Sequence, residues 1–199
     1  MVNRLINEIN VSLNNGCFMA ALSLALTIPD ICAKAEYPEL GNKRRYIAWY
    51  DEYIGKYEKN PSKSDSDENS HYLSGEVVYN LRNHMLHQGT PNIDKGKGNI
   101  DKFTLTIERE DYGVYVDAIT TKWHNDDKEN AVREYRVNIR RLCLIITANA
   151  RKYYSDNKDK FDFFNYEIID MDAVRNNLYR SGLMDMIAEQ IKEIDYGNK

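Results

Sequence analysis

Apolar side chains at Val2, Leu5, Ile6, Ile9 and Leu13 recur at intervals of three and four, the period of one helical face, and predict a first helix over residues 2–14. Asn14-Asn15-Gly16 ends it. The run from Cys17 to about Ala35 is apolar nearly all round, which predicts a second helix enclosed by the others at the centre of the core. Its uninterrupted apolar part stops after about a dozen residues at Pro29, against the roughly 20 needed to span a bilayer, so no membrane crossing is expected. Beyond Gly41 a third helix places Tyr46, Ile47, Tyr50, Tyr53, Ile54 and Tyr57 on one side. This aromatic stripe reads as core rather than as a platform for stacked bases.

Residues 58–70 (EKNPSKSDSDENS) hold almost no apolar group. Burial cannot repay their ordering entropy, and a mobile loop is expected there. Leu73, Val77, Leu81 and Met85 then step by four, predicting a helix from about Tyr72 to His87 with Gly89 as its stop. Over 101–121 the period changes to two, with Phe103, Leu105 and Ile107, then Val114, Val116 and Ala118, alternating with polar residues. That pattern predicts an inserted β-hairpin. The longest helix is expected over about 130–154, with Val132, Tyr135, Ile139, Leu142 and Ile146 inward, and two short helices follow over about 171–180 and 183–194. The expected architecture is mainly α: a single domain over 1–199, an antiparallel helical bundle carrying a β-hairpin.

The 199-residue chain has a formal net charge of -4, so no general positive field holds it on nucleic acid, and any such contact must be local. Its three cysteines include no C-x-x-C pair, which argues against a disulfide framework or a cysteine zinc site. No charged segment precedes a cleavable apolar stretch, so a cytoplasmic protein is expected.

Chemistry concentrates at Arg82-Asn83-His84-Met85-Leu86-His87. His84 and His87 could share a metal ion, but a third ligand at matching spacing is missing. Arginine and histidine without metal suit RNA cleavage by the strand's own 2′-hydroxyl. Imidazole exchanges protons near neutral pH and guanidinium stabilises charge on the phosphoryl oxygens. On a straight helix Arg82 and His87 stand about 140° apart and Asn83 and His87 about 40°. Asn83 can therefore orient His87, while one helix does not easily bring Arg82 and His87 onto one phosphate and two copies crossing at a twofold axis could build one cleft from both motifs. The same residues also read as a packing arginine and a cation at a helix C-terminus.

Leu81-Arg82-Asn83-His84-Met85-Leu86-His87-Gln88-Gly89 resembles the R-x4-6-H motif of HEPN (higher eukaryote and prokaryote nucleotide-binding) domains, in which a polar residue, often asparagine, follows the arginine. The resemblance covers residues 1–90 and the helix over 130–154. It implies a HEPN-like antiparallel bundle with the motif late in a core helix, a composite site built by a homodimer, and a metal-independent endoribonuclease that leaves a 2′,3′-cyclic phosphate. Arg82, Asn83 and His87 would be the catalytic residues, with His84 secondary and no cofactor. A toxin or phage-defence setting, with an inhibitor or antitoxin partner, follows from the habits of the family. One toxin group carries a tyrosine two residues after the histidine, where this chain has Gly89. The alternative is a catalytically inactive homodimeric module that binds a nucleotide or a protein.

Arg133, Arg136 and Arg140 would share a face of the long helix, near Arg141, Arg151 and Lys152, while Lys95 and Lys97 follow the motif. Arg133, Arg136, Arg140, Lys95 and Lys97 are candidate RNA phosphate contacts. A solvated helix face balanced by Glu129 and Glu134 is the plainer reading.

Overall fold

The computed structural model describes residues 1–58, 73–90, 92–95, 100–107, 118–124, 127–180 and 182–196. Two compact units emerge, Met1–Phe164 and Asn165–Lys199. Helix α1 (Val2–Asn14) buries Val2, Ile6, Ile9 and Leu13 along the stripe that its spacing predicts.

The apolar run that follows forms two helices, α2 (Phe18–Ala25) and α3 (Ile28–Glu36), rather than one. Thr27 Oγ1 donates to the Leu24 carbonyl at 2.7 Å, and Pro29, which lacks an N–H, sits in the first turn of α3, where none is needed. Phe18–Glu36 is long and apolar enough to cross a membrane by length and composition alone. Its Ala21, Leu22, Ala25, Leu26, Ile28, Cys32 and Ala33 are buried in the core.

Helix α4 (Asn42–Tyr53) buries Tyr46, Trp49 and Tyr50, and Tyr53 stacks on Trp49 at 5.2 Å. The aromatic stripe is core except for Tyr57, which is exposed. Helix α5 (Gly75–Asn83) is capped by Ser74, whose hydroxyl accepts from Val77 N at 3.4 Å. It lies so close to α4 that a Cβ on Gly75 would stand 2.7 Å from the Ile47 carbonyl oxygen. The Gly75 N–H donates to Asp51 Oδ1 at 2.6 Å.

Strands β1 (Asn92–Asp94), β2 (Ile100–Thr106), β3 (Ala118–His124) and β4 (Asp127–Asn138) form one mixed sheet in the order β1-β2-β4-β3. The hairpin expected over 101–121 is therefore replaced. β4 lies between β2 and β3, parallel to β2 and antiparallel to β3, while residues 108–117 fall outside the described residues. Phe103 faces Tyr135 across β2 and β4, their rings stacked at 5.3 Å. Matching these apolar positions favours that neighbour.

The helix expected from 130 begins only at Ile139, as α6 (Ile139–Asp156). Tyr135 and Val137 are buried while Arg136 between them is exposed, so a period of two wins over the helical spacing that Val132, Tyr135 and Ile139 also satisfy. Asn138 marks the switch by accepting from Arg141 N at 3.1 Å, an N-cap. Helix α6 packs against α1, α2 and α3, which closes the bundle.

Of the stretch expected to be a mobile loop, 59–70 lie outside the described residues. Glu58 itself is buried and takes both carboxylate oxygens to Arg141 Nη2 at 2.6 Å. The second unit holds α7 (Met171–Arg180) and α8 (Leu183–Tyr196), close to the expected bounds.

Candidate functional site

Arg82 and Asn83 end α5, and the next five residues, His84–Gln88, continue as a π-helical turn. The Gly89 N–H donates to the His84 carbonyl at 2.8 Å, five residues back. Gly89 then closes the helix at φ +65°, left-handed backbone that glycine takes without strain. Short π-helical turns inside α-helices are rare and concentrate at functional sites. Here the turn has a definite effect. Wider winding brings residues five apart onto one face, so Arg82 and His87 meet instead of standing about 140° apart as on a straight helix.

Arg82 Nη1 lies 3.2 Å from His87 Nε2 and donates to Asn83 Oδ1 at 2.8 Å. The expectation that a straight helix holds Arg82 and His87 about 140° apart is overturned by this contact within one chain. Asn83 holds the arginine. A guanidinium carries donors only and keeps its protons, so a hydrogen bond here requires His87 to present the Nε2 lone pair and to carry its proton on Nδ1. His87 is exposed.

On the inner side Arg82 Nη2 pairs with Asp30 Oδ2 at 2.9 Å, both side chains being about one-fifth exposed. Asp30 stands in the first turn of α3, so this pair ties the motif helix to the core. Burial raises the Asp30 carboxyl above its ordinary value, opposed by Arg82 and then by Arg45 of α4 and by His87. One carboxylate thus faces two guanidinium groups and an imidazole. Nε of Arg82, Nε of Arg45, Nδ1 of His84 and Oδ2 of Asp30 are buried without a hydrogen-bond partner among the described residues, so Asp30 Oδ2 meets Arg82 as an ion pair without hydrogen-bond alignment. Two guanidinium groups facing one carboxylate leave positive charge beside the motif, which suits an anion.

Sequence reasoning missed Asp30 and Arg45. Asp30 left a trace, as the one charged residue between Cys17 and Ala33; a carboxylate in such a run needs a partner. Arg45 left none. Behind the motif, Met19, Leu81, Met85, Gly89, Thr90, Phe103 and Leu105 line an apolar groove of about 190 Å³. The buried thiols are poor nucleophiles, since burial pushes Cys143 up to about 12 and Cys32 further. Among the described residues no three His, Cys, Asp or Glu side chains gather to hold a metal ion.

The stripe of arginines does not form. Arg133 and Arg136 lie three apart on strand β4, hence on opposite faces, whereas Arg140 is on α6. Arg133 Nε pairs with Asp101 Oδ1 at 3.0 Å, Lys95 also pairs with Asp101, and that carboxylate is buried. Arg136 is exposed and Arg140 half-buried. Lys97 lies outside the described residues. No protein-family model, curated protein or solved structure matches this chain.

Proposed function

We propose that the chain is a HEPN-like, metal-independent endoribonuclease whose centre is Arg82, Asn83 and His87. The single observation that carries this reading is the 3.2 Å approach of Arg82 Nη1 to His87 Nε2 at the exposed end of a core helix. A proton acceptor and a fixed cation beside one another are the two groups that transesterification of RNA requires.

In this mechanism the 2′-hydroxyl gives its proton to His87 Nε2 and attacks the adjacent phosphorus. The new bond joins O2′ to phosphorus, the bond to O5′ breaks, and the leaving oxygen takes a proton from solvent. Arg82 stabilises the negative charge that builds on the phosphoryl oxygens. Asn83 and Asp30 position Arg82 from two sides, through Nη1 and Nη2. Entry of a phosphate beside Arg82 also loosens its contact with Nε2 and frees the lone pair for the proton.

The family habits imply a cytoplasmic homodimer acting in a toxin or phage-defence setting and restrained by an inhibitor protein. The chemistry at Arg82 and His87 does not itself demand a second protomer. Arg136 and Arg140 remain as strand-binding candidates, and Lys95 and Arg133 join them only by leaving Asp101.

The test is incubation of purified protein with single-stranded RNA in excess EDTA. The expected products end in a 2′,3′-cyclic phosphate and a 5′-hydroxyl, and a strand with 2′-deoxynucleotides throughout stays intact. Cleavage of the deoxy strand would contradict the mechanism. A second reading, a catalytically silent interaction module, draws support from the apolar groove, whose Met19 is 55% exposed; exposed methionine suits an adaptable protein contact. Failure of the wild-type protein to cut any RNA would favour it.

A further inference from the structure

A second concentration of unpaired donors lies on other helices. Asn3 and Asn7 stand one turn apart on α1, and Arg151 and Ser155 one turn apart on α6. Tyr154 is followed four residues later by Lys158, in the 3-10 turn Lys158–Phe161 that follows α6. All six line one groove of about 350 Å³, within the range of roughly 300–1,000 Å³ typical of small-molecule sites. Tyr154 forms part of the wall, its ring edge-on to Phe161 at 4.9 Å.

The charge balance there is one-sided. The nearby acids Glu8 and Asp156 are taken up by Arg4 and Lys152, each at 3.0 Å. The side chains of Arg151 and Lys158 make no ion pair or hydrogen bond among the described residues, and neither do those of Asn3, Asn7 and Ser155. Asp159, next to Lys158 in the chain, pairs with neither cation. In a chain of net charge -4, this groove brings two cations without an ion pair, two amides and a hydroxyl together, the groups that recognise an anion.

We infer that this groove binds the phosphate of a nucleotide. Arg151 and Lys158 take the phosphoryl oxygens, and the amides of Asn3 and Asn7 with the Ser155 hydroxyl take sugar or base edges. The nucleotide comes free or as part of an RNA strand, since the phosphoryl chemistry is the same. None of these residues belongs to the Arg82 motif, so the inference stands whether or not the chain cuts RNA.

The probes are adenosine 5′-monophosphate and a short single-stranded RNA with 2′-O-methyl groups throughout, which has no 2′-hydroxyl to attack. Each is titrated into ¹⁵N-labelled full-length protein and followed through the side-chain amides of Asn3 and Asn7 and the backbone of residues 151–158. Saturable shifts with the mononucleotide identify a free nucleotide as ligand, and shifts with RNA alone identify a strand. The variant Arg151→Glu with Lys158→Glu, both exposed, is expected to keep its far-UV circular dichroism and to lose at least about tenfold in affinity. For RNA, loss of two phosphate contacts should also lower the slope of log K against log salt by about 1.4. No shift with either probe at millimolar concentration, or shifts unchanged in the folded double variant, would overturn the inference.

Discussion

Asp30 and Glu36 lie on one helix and respond to acid with opposite sign. Burial raises Asp30 above 3.8, so the folded chain holds that proton more tightly than the unfolded chain. The Asp30 contribution to stability therefore grows as the pH falls from neutral through its folded pKa and levels off below 3.8. Hydrogen bonds from Lys160 and then Tyr153 pull Glu36 below 4.5. Its contribution is complete above 4.5 and is lost as the pH falls through its folded value. Urea unfolding across this range should show the stability of the native chain over Asp30→Asn increasing on acidification. Over Glu36→Gln it should decrease, by an amount of order 1 kcal/mol or less, because solvent screens that pair. Two curves of the same sign would contradict these environments.

At the scale of elements, two glycines set where Arg82 and His87 stand. Gly75→Ala pushes a methyl group against the Ile47 carbonyl oxygen and should destabilise the chain by about 1–3 kcal/mol in urea unfolding. Gly89→Ala forces an L-residue into left-handed backbone with open space around its Cβ, so strain alone should cost about 1–2 kcal/mol; Gly89→Asn should cost less, since asparagine tolerates that region. The stop at Gly89 was legible in the sequence, as were the inward face of α1 and the core role of Tyr46 and Tyr50. Each follows from local periodicity or from one backbone preference. The π-helical turn was not legible, because no residue between His84 and Gln88 dictates the shift from four-residue to five-residue hydrogen bonds. Nor was β4. Val132, Tyr135 and Ile139 fit a helical face while Tyr135 and Val137 fit a strand face, and the choice rests on pairing with Phe103, which is distant in the chain. The Asp30 partnership likewise depends on how α3 packs beside α5, which spacing within either helix cannot encode.

On the scale of the whole molecule, the proposed sites are local concentrations of positive charge within a chain of net charge -4, and the bundle must hold them still. One brace is Arg141 at the start of α6, which meets the buried Glu58 beyond α4. Arg141→Met leaves that carboxylate buried without its cation and should lower stability by about 3 kcal/mol in urea unfolding; a change under about 0.5 kcal/mol would show that Glu58 is solvated instead. The central claim is that a guanidinium and an imidazole, brought together by one turn of helix, cut RNA. It is tested most directly by single-turnover cleavage of one RNA in EDTA by the wild-type protein, Arg82→Ala and His87→Ala, with folding checked by circular dichroism. Each substitution is expected to slow cleavage by about 10²–10⁴-fold while the fold persists; cleavage that continues at the wild-type rate in both folded variants would contradict the account.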